Sequence, residues 1–397
     1  MGRRSTFNIL MYSHDTYGLG HIRRTMAIAA QLRQPHINIL ILTGSPIVGR
    51  FRVPEQIDFV RIPGMIKLTN AEYRPLSIKI DARHALEIRK NIITATAKTF
   101  RPQLFIVDKE PLGLKREVLP TLRWLRHQQP ETRTILGLRD VMDQAEVVRK
   151  DWAERGVYKA LKELYSEIWV YGHQHFYDPV SEYAIPETIR DKIHFTGYIP
   201  RKITTPRETD RIRREHQVGP KDKLVVVTTG GGGDGYALMD NFLTMIEQNR
   251  LGSNFKSAMV TGPFMPKKQR QALHSRARRR GIRFFYFYRK MEKLLAAADL
   301  VVSMGGYNTL CEILSQKRLT LVIPRETPRR EQLIRAQAFH RQNLVDYIPW
   351  SQLKPQNLGE RITRLLSDPE PYQSAVAQFR LTGIEIMCQR LSALQVC

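Results

Sequence analysis

Hydrophobic and polar residues follow two alternating patterns along the chain. Short apolar runs rich in β-branched residues, typical of buried strands, are separated by longer stretches with helical periodicity. This alternation is typical of parallel sheets built from strand–helix–strand units. In the first half it predicts strands at residues 7–12, 37–43, 57–62, 104–108, 134–138 and 168–171. In the second half it predicts strands at residues 224–228, 256–260, 284–287, 299–303 and 320–323.

Two series of strands in 397 residues predict two doubly wound α/β domains, because this length is too great for one ordinary core. The predicted N-terminal Rossmann-like domain covers residues 1–198, and a polar, arginine-rich linker covers residues 199–223. A second Rossmann-like domain follows at residues 224–371, and residues 372–397 have the periodicity of a C-terminal helix. Two such domains facing a central cleft would bring the carboxyl ends of both sheets to the place where such sheets bind ligands.

The charge of the chain is unusual, since 63 Lys and Arg against 38 Asp and Glu give a formal net charge of +25. Nucleic acid, an anionic membrane surface and phosphorylated small molecules would all be attracted by it. Residues 267–290 carry ten Lys or Arg and no acid, which fits a solvated helix face as well as a surface for a membrane or a polyanion. The three cysteines have no paired spacing, so neither disulfides nor a zinc site are predicted, and the cytoplasm is expected.

The first motif, FNILMYSHDTYGLGHIRR, is a strand that ends in a glycine turn with Gly18 and Gly20, and His21 starts the next helix. Such a turn lets the backbone approach a ligand, and the helix start offers N–H groups and the positive end of a dipole. Arg23 stands where the dinucleotide-binding fingerprint needs a third glycine. Without the other motifs, His21 is interpreted as a histidine whose only role is to form hydrogen bonds with backbone groups at the helix start.

The second motif, LVVVTTGGGGDGY, is a strand followed by four consecutive glycines, of which Gly230, Gly231 and Gly232 are the candidate ligand-binding positions. Four glycines are costly in an ordinary turn, whereas a backbone that wraps an oxyanion needs unusual dihedral angles and no obstructing side chains. The pattern favours a phosphate cradle over a flexible loop. No Gly-Lys-Ser/Thr follows, so a Walker-type nucleotide hydrolase is excluded.

The third motif, VVSMGGYNTLCEIL, is a strand that stops at Gly305 and Gly306 and continues into a helix with one acid, Glu312. Asn308, Thr309 and Glu312 are predicted on the helix face opposite to the core. Glu312 would lie roughly 7 to 9 Å along the axis from the helix start, about the separation of a diphosphate and the ribose of one nucleotide. A carboxylate at that distance favours recognition of a ribose diol over a solvated surface glutamate.

Together these motifs resemble the two-domain GT-B glycosyltransferases, among them the MurG-like group and a poorly characterised bacterial branch of predicted transferases. The resemblance implies an acceptor-side first domain, a nucleotide-sugar-binding second domain and a C-terminal helix that packs back on the first domain. Besides GLGHIRR and TTGGGGDG, it is carried by FYRKMEKLLAAADLVVSMGGYNTLCEIL and IPRETPRREQLIRAQAF. It places the donor on Gly20, Gly230, Gly231, Gly232, Tyr288, Gly305, Gly306, Asn308, Thr309, Glu312, Glu331 and Gln332.

The resemblance also implies roles for these positions. Tyr288 is expected beside the nucleobase, and Glu331 and Gln332 beside the donor sugar. A direct inverting displacement is expected, with two helix N-termini stabilising the leaving diphosphate. The chain has no Asp-x-Asp motif, so no metal-bridged diphosphate is predicted.

The acceptor hydroxyl needs a base within hydrogen-bond reach. His21 is the first candidate, and Asp108, at the end of the strand in LFIVDKE, would orient it or serve as an alternative base. Asp15 and Asp140 also follow strands and stay open as candidates.

The predicted function is transfer of a hexosyl or N-acetylhexosaminyl group from a nucleotide diphosphate sugar, with UDP-sugars first, to an unidentified acceptor. No cofactor beyond this co-substrate and no specific nucleic acid partner are expected. A membrane-linked acceptor and a peripheral position on the anionic inner membrane surface would account for the charge. Two alternatives stay open: a sugar-nucleotide 2-epimerase of the same architecture, and a non-catalytic protein that binds polyanions.

Overall fold

The computed structural model describes residues 6–15, 20–50, 53–67, 73–248 and 255–393. The chain divides into two compact units. The first domain comprises residues 1–199 and 382–397, and the second domain comprises residues 200–381. The prediction of two doubly wound α/β domains is confirmed.

Strands and helices alternate through the first domain. Its strands are β1 (Phe7–Ser13), β2 (Ile37–Thr43), β3 (Ile57–Arg61), β4 (Met65–Lys67), β5 (Tyr73–Pro75), β6 (Leu104–Asp108), β7 (Arg133–Arg139), β8 (Glu167–Tyr171) and β9 (Ile193–Phe195). Its helices before the second domain are α1 (Gly20–Leu32), α2 (Ala82–Phe100), α3 (Leu119–Gln128), α4 (Ala145–Glu154), α5 (Val157–Leu164), α6 (Pro179–Glu182) and α7 (Glu187–Arg190).

In the described residues the main sheet of the first domain has the strand order β3-β2-β1-β6-β7-β8-β9, and all neighbours are parallel. The central strands are mostly apolar because helices cover both faces of a parallel sheet; every residue of β6 and β8 is buried, including the terminal carboxylates Asp108 and Glu167. Successive strands are added towards one side of the sheet from β1 to β3 and towards the other side from β6 to β9. Their carboxyl ends therefore flank the topological switch point, where doubly wound sheets bind ligands.

The second domain repeats this architecture. Its strands are β10 (Lys223–Thr228), β11 (Phe255–Val260), β12 (Arg283–Phe285), β13 (Leu300–Ser303), β14 (Leu319–Val322) and β15 (Asp346–Tyr347). Its helices are α8 (Pro206–Glu215), α9 (Tyr236–Glu247), α10 (Lys267–Arg279), α11 (Met291–Ala297), α12 (Tyr307–Ser315), α13 (Glu331–His340), α14 (Pro355–Ser367) and α15 (Tyr372–Gln378). In the described residues the parallel order is β12-β11-β10-β13-β14-β15, with the switch point between β10 and β13.

The segment predicted as a linker, residues 199–223, differs from that prediction. It contains α8, which packs on α11 inside the second domain. The helix starts with a capping box, in which Thr205 accepts the backbone N–H of Glu208 and the Glu208 carboxylate accepts the N–H of Thr205. The polar, arginine-rich composition that indicated a linker belongs to a helix with a single buried residue, Ile212.

The segment 372–397, predicted as one C-terminal helix, contains two helices. α15 belongs to the second domain, and α16 (Gly383–Ala393) belongs to the first domain, where it packs on α1. Gly383 starts α16 and donates its N–H to the carbonyl of Tyr198 at 3.0 Å. Arg390 and Glu167 form an ion pair of 2.5 Å near the other end. In the residues that the structure describes, no helix is both long and apolar enough to cross a membrane.

Candidate active site

The first candidate group lies at the carboxyl ends of β1 and β6. β6 ends at Asp108, and Gly20 is the first residue of α1. The Nδ1 atom of His21 lies 2.6 Å from Oδ2 of Asp108. The structure therefore brings the two predicted catalytic residues into direct hydrogen-bond contact. Gly18, the other glycine of the motif, lies outside the described residues.

Arg24 fixes the charge of this pair. Its Nε and Nη2 atoms donate to Oδ1 of Asp108 at 3.0 and 2.5 Å, and its side chain is 1% exposed. Burial alone would raise the pKa of Asp108, but Arg24 and His21 outweigh it and hold that pKa well below its usual range. Asp108 is therefore an anion at neutral pH.

His21 is neutral because burial lowers its pKa to about 4, although Asp108 acts in the opposite direction. A neutral imidazole has one N–H, and an ionised carboxylate can only accept, so the 2.6 Å contact puts the proton on Nδ1. Arg24 Nη2 is farther from Nδ1, at 3.2 Å, and already donates to Asp108. Nε2 is left with the lone pair, which is the arrangement of a general base oriented by a carboxylate.

Asp15 and Asp140, the other candidate acids, hold backbone in place. The backbone N–H of Ile22 donates to Oδ1 of Asp15 at 3.1 Å, and the hydroxyl of Thr43 donates to Oδ2. These bonds join the end of β2 to the start of α1, and burial raises the pKa of Asp15 to about 7. Asp140 accepts the backbone N–H of Val141 at 2.7 Å.

A buried polar network beside this group was missed by the sequence analysis. Tyr12 donates its hydroxyl to Oε1 of Glu117 at 2.5 Å, and Arg89 makes two bonds of 2.5 Å to the same carboxylate. All three residues are completely buried. The ring of His14 stands edge-on to that of His21, with centroids 5.5 Å apart. Tyr12 and Glu117 are 105 residues apart, so no local pattern could pair them.

The second candidate group lies at the carboxyl ends of β10 and β13, which are neighbours in the sheet. Gly230, Gly232 and Gly305 follow these strands with φ angles of 65°, 90° and 72°, a backbone region that favours glycine. The hydroxyl of Thr228 accepts the N–H of Gly230 at 3.4 Å, and that of Ser303 accepts the N–H of Gly305 at 3.3 Å. Both strand ends therefore turn in the same way.

The predicted cradle glycines differ in their surroundings. A Cβ atom on Gly232 would lie 2.0 Å from a backbone carbonyl oxygen, and one on Gly231 would lie 3.3 Å from a phenylalanine ring. These two glycines permit close packing between loops. Within the described residues, a Cβ on Gly230 or Gly306 would approach only the hydroxyl of Thr309, at 3.5 and 4.0 Å. Space for a ligand therefore lies beside Gly230 and Gly306.

Helix α12 begins directly after its N-cap, Gly306, and carries half-buried Asn308 and Thr309 in its first turn. Arg201 Nη2 donates to Oδ1 of Asn308 at 2.7 Å. Arg201 Nη1 is a buried donor without a hydrogen-bond partner in the described residues. A cation with an unused donor beside a helix N-terminus suits an anion such as a diphosphate. No sequence motif predicts Arg201, which lies 107 residues before Asn308.

Glu312 is buried, which corrects its predicted place on a polar face of α12. Its exposed fraction is 4%. Residues 310–315 are all buried because α12 is covered on more than one side, by α11 among others. Glu312 keeps the predicted distance of one and a half turns from Gly306. A buried carboxylate is costly unless it accepts hydrogen bonds, and its contact with a ribose stays a prediction.

Tyr288 lies between β12 and α11, near the carboxyl end of the sheet. Its half-buried ring packs against Phe285 at 5.0 Å and His216 at 6.1 Å between centroids. This aromatic cluster offers a flat apolar surface of the kind that a nucleobase stacks on. The role of Tyr288 beside the base stays a prediction.

Glu331 and Gln332, the predicted donor-sugar residues, lie at the start of α13 and both contact Arg325. Nη2 of Arg325 donates to Oε1 of Glu331 at 2.7 Å, and the backbone N–H of Arg325 donates to Oε1 of Gln332 at 3.1 Å. Nη1 of Arg325 donates to Oδ2 of Asp234, in the loop after β10, at 2.8 Å. No sequence motif predicts Arg325 or its contact with Asp234, which lies 91 residues before it.

Comparison with known proteins identifies the second domain. Residues 225–386 match the family described as glycosyltransferase family 28 C-terminal domain. A relative from Streptococcus agalactiae serotype Ia is 28% identical over 150 residues. It is a UDP-N-acetylglucosamine–N-acetylmuramyl-(pentapeptide) pyrophosphoryl-undecaprenol N-acetylglucosamine transferase. The match covers 37% of this chain and spans 39% of the length of the relative.

Solved structures identify the fold. MurG of Acinetobacter baumannii matches with a TM-score of 0.62 at 13% identity, covering 98% of this chain and 99% of MurG. A UDP-GlcNAc 2-epimerase from Neisseria meningitidis matches with a TM-score of 0.64 at 12% identity, covering 98% of this chain and all of the other. The chain therefore has the GT-B fold. The chain is similar to the MurG-like glycosyltransferases, which confirms the resemblance read from its motifs.

Proposed function

We propose that this chain is a glycosyltransferase that moves a hexosyl or N-acetylhexosaminyl group from a nucleotide diphosphate sugar to an acceptor hydroxyl. The observation that carries the proposal is the space beside Gly230 and Gly306, at the N-terminus of α12, where Arg201 adds positive charge. This arrangement suits a diphosphate. The likeness to a transferase named for UDP-N-acetylglucosamine supports UDP as the nucleotide of the donor.

In the proposed reaction the acceptor oxygen attacks the anomeric carbon while Nε2 of His21 takes the hydroxyl proton. The bond between that carbon and the diphosphate oxygen breaks, and the nucleoside diphosphate leaves with the bonding electrons. Attack from the opposite face inverts the configuration. Asp108 stabilises the imidazolium, while Arg201 and the N–H groups of the first turn of α12 stabilise the charge on the leaving group.

We expect turnover without a divalent metal. A chelator should leave the rate unchanged, because the helix dipole and Arg201 would supply the positive charge that a metal supplies in other sites. The measurement is UDP release from a UDP-sugar with EDTA and then with added Mg²⁺ or Mn²⁺. A rate that depends on either ion would contradict a metal-independent mechanism.

Thermal unfolding with UDP, GDP, ADP or TDP at about 1 mM tests the donor site. A nucleotide that binds with a Kd near 10 µM stabilises the folded chain by about 2.7 kcal/mol, which gives a readable rise in Tm. The rise is expected with UDP and should be largely lost in Glu312→Gln, which keeps the size of the side chain and removes its charge. Glu360→Gln, at an exposed position on α14, is the matched control. Absence of any nucleotide-dependent rise would refute the donor site.

We also propose a lipid-linked acceptor on an anionic membrane surface. The Streptococcus agalactiae relative is named for a pyrophosphoryl-undecaprenol acceptor. Residues 267–290 carry ten cations and no acid, and within them Tyr286 and Phe287 are 41% and 59% exposed. Exposed aromatic rings among cations suit the interface of an anionic bilayer.

Flotation with liposomes tests this surface. The wild type should float with anionic and not with neutral vesicles. Phe287→Ser should weaken flotation, whereas Ile203→Ser, at a residue of the same domain that is 71% exposed, should not. Equal flotation of both variants would contradict the proposed membrane-binding surface. Flotation that does not depend on lipid charge would contradict electrostatic attraction to the membrane.

A second candidate activity, sugar-nucleotide 2-epimerisation, is favoured by the match to a UDP-GlcNAc 2-epimerase. The two activities differ in their products when no acceptor is present. A transferase leaves the configuration of the donor sugar unchanged at carbon 2, whereas an epimerase inverts it. NMR of UDP-GlcNAc after incubation with the protein distinguishes them. Formation of the 2-epimer would refute the transferase proposal and support an epimerase.

Binding to polyanions without catalysis is the remaining alternative, and the net charge of +25 favours it. This alternative predicts tight binding to nucleic acid that weakens steeply between about 50 and 200 mM salt. Filter binding with RNA and DNA, compared with UDP-sugar binding under the same conditions, tests it. Binding to nucleic acid without any binding of nucleotide sugars would replace the transferase proposal.

A further inference from the structure

One guanidinium joins two loops at the carboxyl edge of the second domain. Arg325 follows β14, and its Nη1 and Nη2 atoms donate to Asp234 at 2.8 Å and to Glu331 at 2.7 Å. Asp234 belongs to the glycine-rich loop after β10, and Glu331 begins α13. The backbone N–H of Arg325 also donates to Gln332 at 3.1 Å. One residue therefore holds both side chains that are predicted beside the donor sugar.

The Arg325–Glu331 contact differs from an ordinary surface ion pair, which contributes little to stability, whereas Asp234 on the other arm is 44% exposed. The side chain of Arg325 is 24% exposed and that of Glu331 is 7% exposed. The planar guanidinium reaches two carboxylates at once, which an ammonium group does less well. The Nε atom of Arg325 is buried and has no hydrogen-bond partner in the part of the chain that the structure describes.

The bonds to Arg325 also orient the polar groups of α13. A backbone N–H can only donate, so the atom of Gln332 that faces it is the carbonyl oxygen, and the amide NH₂ is the other end. Oε1 of Glu331 accepts a hydrogen bond from Nη2 of Arg325. A carboxylate and an amide NH₂ at fixed positions match sugar hydroxyl groups, which both donate and accept hydrogen bonds.

We propose that Arg325 is a positioning residue that sets Glu331 and Gln332 for the sugar of the donor. The inference rests on the proposed function, because it assigns part of the same donor site. Arg325 acts through these two residues and ties them to the loop of Asp234. Its loss should weaken recognition of the sugar and spare recognition of the nucleoside diphosphate.

Titration calorimetry with UDP, UDP-glucose and UDP-N-acetylglucosamine tests this role. In Arg325→Met the Kd of the better UDP-sugar should rise about tenfold, which is about 1.4 kcal/mol, while the Kd of UDP stays unchanged. Arg325→Lys should recover part of the loss, because an ammonium can still pair with one carboxylate. In turnover, the KM for the UDP-sugar should rise more than kcat falls.

The matched control is Arg213→Met. Arg213 is 23% exposed and bridges Asp299 and the carbonyl of Ala297, both at 2.9 Å, at the amino end of β13. Its loss removes a similar contact from the opposite edge of the sheet, so both Kd values should stay unchanged. Asp234→Asn is a second variant that weakens the bridge while keeping Arg325, and it should show the same selective loss to a smaller extent.

The outcomes separate this inference from the proposed function. A UDP-sugar Kd that does not change in Arg325→Met or in Asp234→Asn overturns the positioning role. An equal loss for UDP and UDP-sugar also overturns it, because that pattern means collapse of the loops. If the wild type binds neither UDP nor any UDP-sugar, the proposed function fails and this inference fails with it. A selective loss of UDP-sugar binding, absent in Arg213→Met, supports it.

Discussion

Replacing Asp108 with asparagine should reverse the hydrogen bond that orients His21 as the proposed base. Asparagine keeps the shape of the side chain but has one oxygen and one NH₂ group. Arg24 is buried and donates two bonds, at 3.0 and 2.5 Å, to one oxygen of Asp108, so the amide oxygen should stay with Arg24. The NH₂ group then faces Nδ1 of His21 at the 2.6 Å contact and occupies its lone pair. The imidazole proton moves to Nε2, and the acceptor hydroxyl loses its base.

A positioned general base contributes about 10²- to 10⁴-fold to the rate, and Asp108→Asn should remove most of it. His21→Ala should cost about as much, and the double variant little more, because both changes remove one function. The assay is UDP release from a UDP-sugar, with the Kd of UDP measured separately and expected to stay unchanged. The control is Glu110→Gln. Glu110 lies two residues after Asp108, and its carboxylate pairs with Arg155 at 3.0 Å. Unchanged turnover of Asp108→Asn would refute the assigned tautomer.

The pH profile gives an independent check of the same base. Because burial lowers the pKa of His21 to about 4, turnover should rise with pH through that value and then stay level into the neutral range. A rise in turnover centred near the ordinary histidine value of 6.5 would contradict the lowered pKa of His21. The unfolded chain binds this proton at a higher pH than the folded chain, so stability should fall as the pH drops from 6.5 to about 4. His21→Gln should flatten that fall.

Two further predictions concern stability and need no substrate. Gly232→Ala should lower the Tm, because its Cβ would meet a backbone oxygen at 2.0 Å, whereas Gly233→Ala should not, because nothing described lies within 4 Å of its Cβ. Equal Tm values would contradict the assigned packing. Arg89→Met should cost about 3–5 kcal/mol, since it leaves the buried carboxylate of Glu117 without its cation. Urea unfolding should show this loss for Arg89→Met. Lys90→Met should lose only about 0–1 kcal/mol, because its ion pair with Glu87 is on the surface. Equal losses in the two variants would contradict the stabilising role of the buried Arg89–Glu117 pair.

The sequence predicted the sheets well because their signal is local. Each central strand is a mostly apolar run of a few residues, and each motif consists of such a run and the glycine turn that follows it. The amino-acid sequence alone was therefore enough to predict that Gly230, Gly305 and the start of α12 lie at strand ends. The linker was predicted wrongly for the opposite reason. α8 buries little, so its composition does not distinguish a helix from a connecting segment.

The side-chain partners could not be predicted, because they are set by the order of the strands. His21 and Asp108 were both named, but their contact depends on β1 and β6 lying side by side, 87 residues apart in sequence. Arg201 and Arg325 were missed because an arginine has no distinctive neighbours in sequence. Each becomes a candidate only when its partner is known to lie 107 or 91 residues away.

The proposed function gives the positive charge of the chain two roles that salt should separate. Arg24 and Arg325 each hold a carboxylate of the proposed site at short distance, and both carboxylates are 7% exposed, so dissolved ions screen these contacts weakly. The exposed cations of residues 267–290 face solvent, where the screening length falls from about 10 Å at 0.1 M salt to about 3 Å at 1 M. Raising NaCl over that range should release the protein from anionic liposomes while UDP-sugar binding changes little. Parallel loss of both would mean that the donor also relies on long-range attraction by the surface charge.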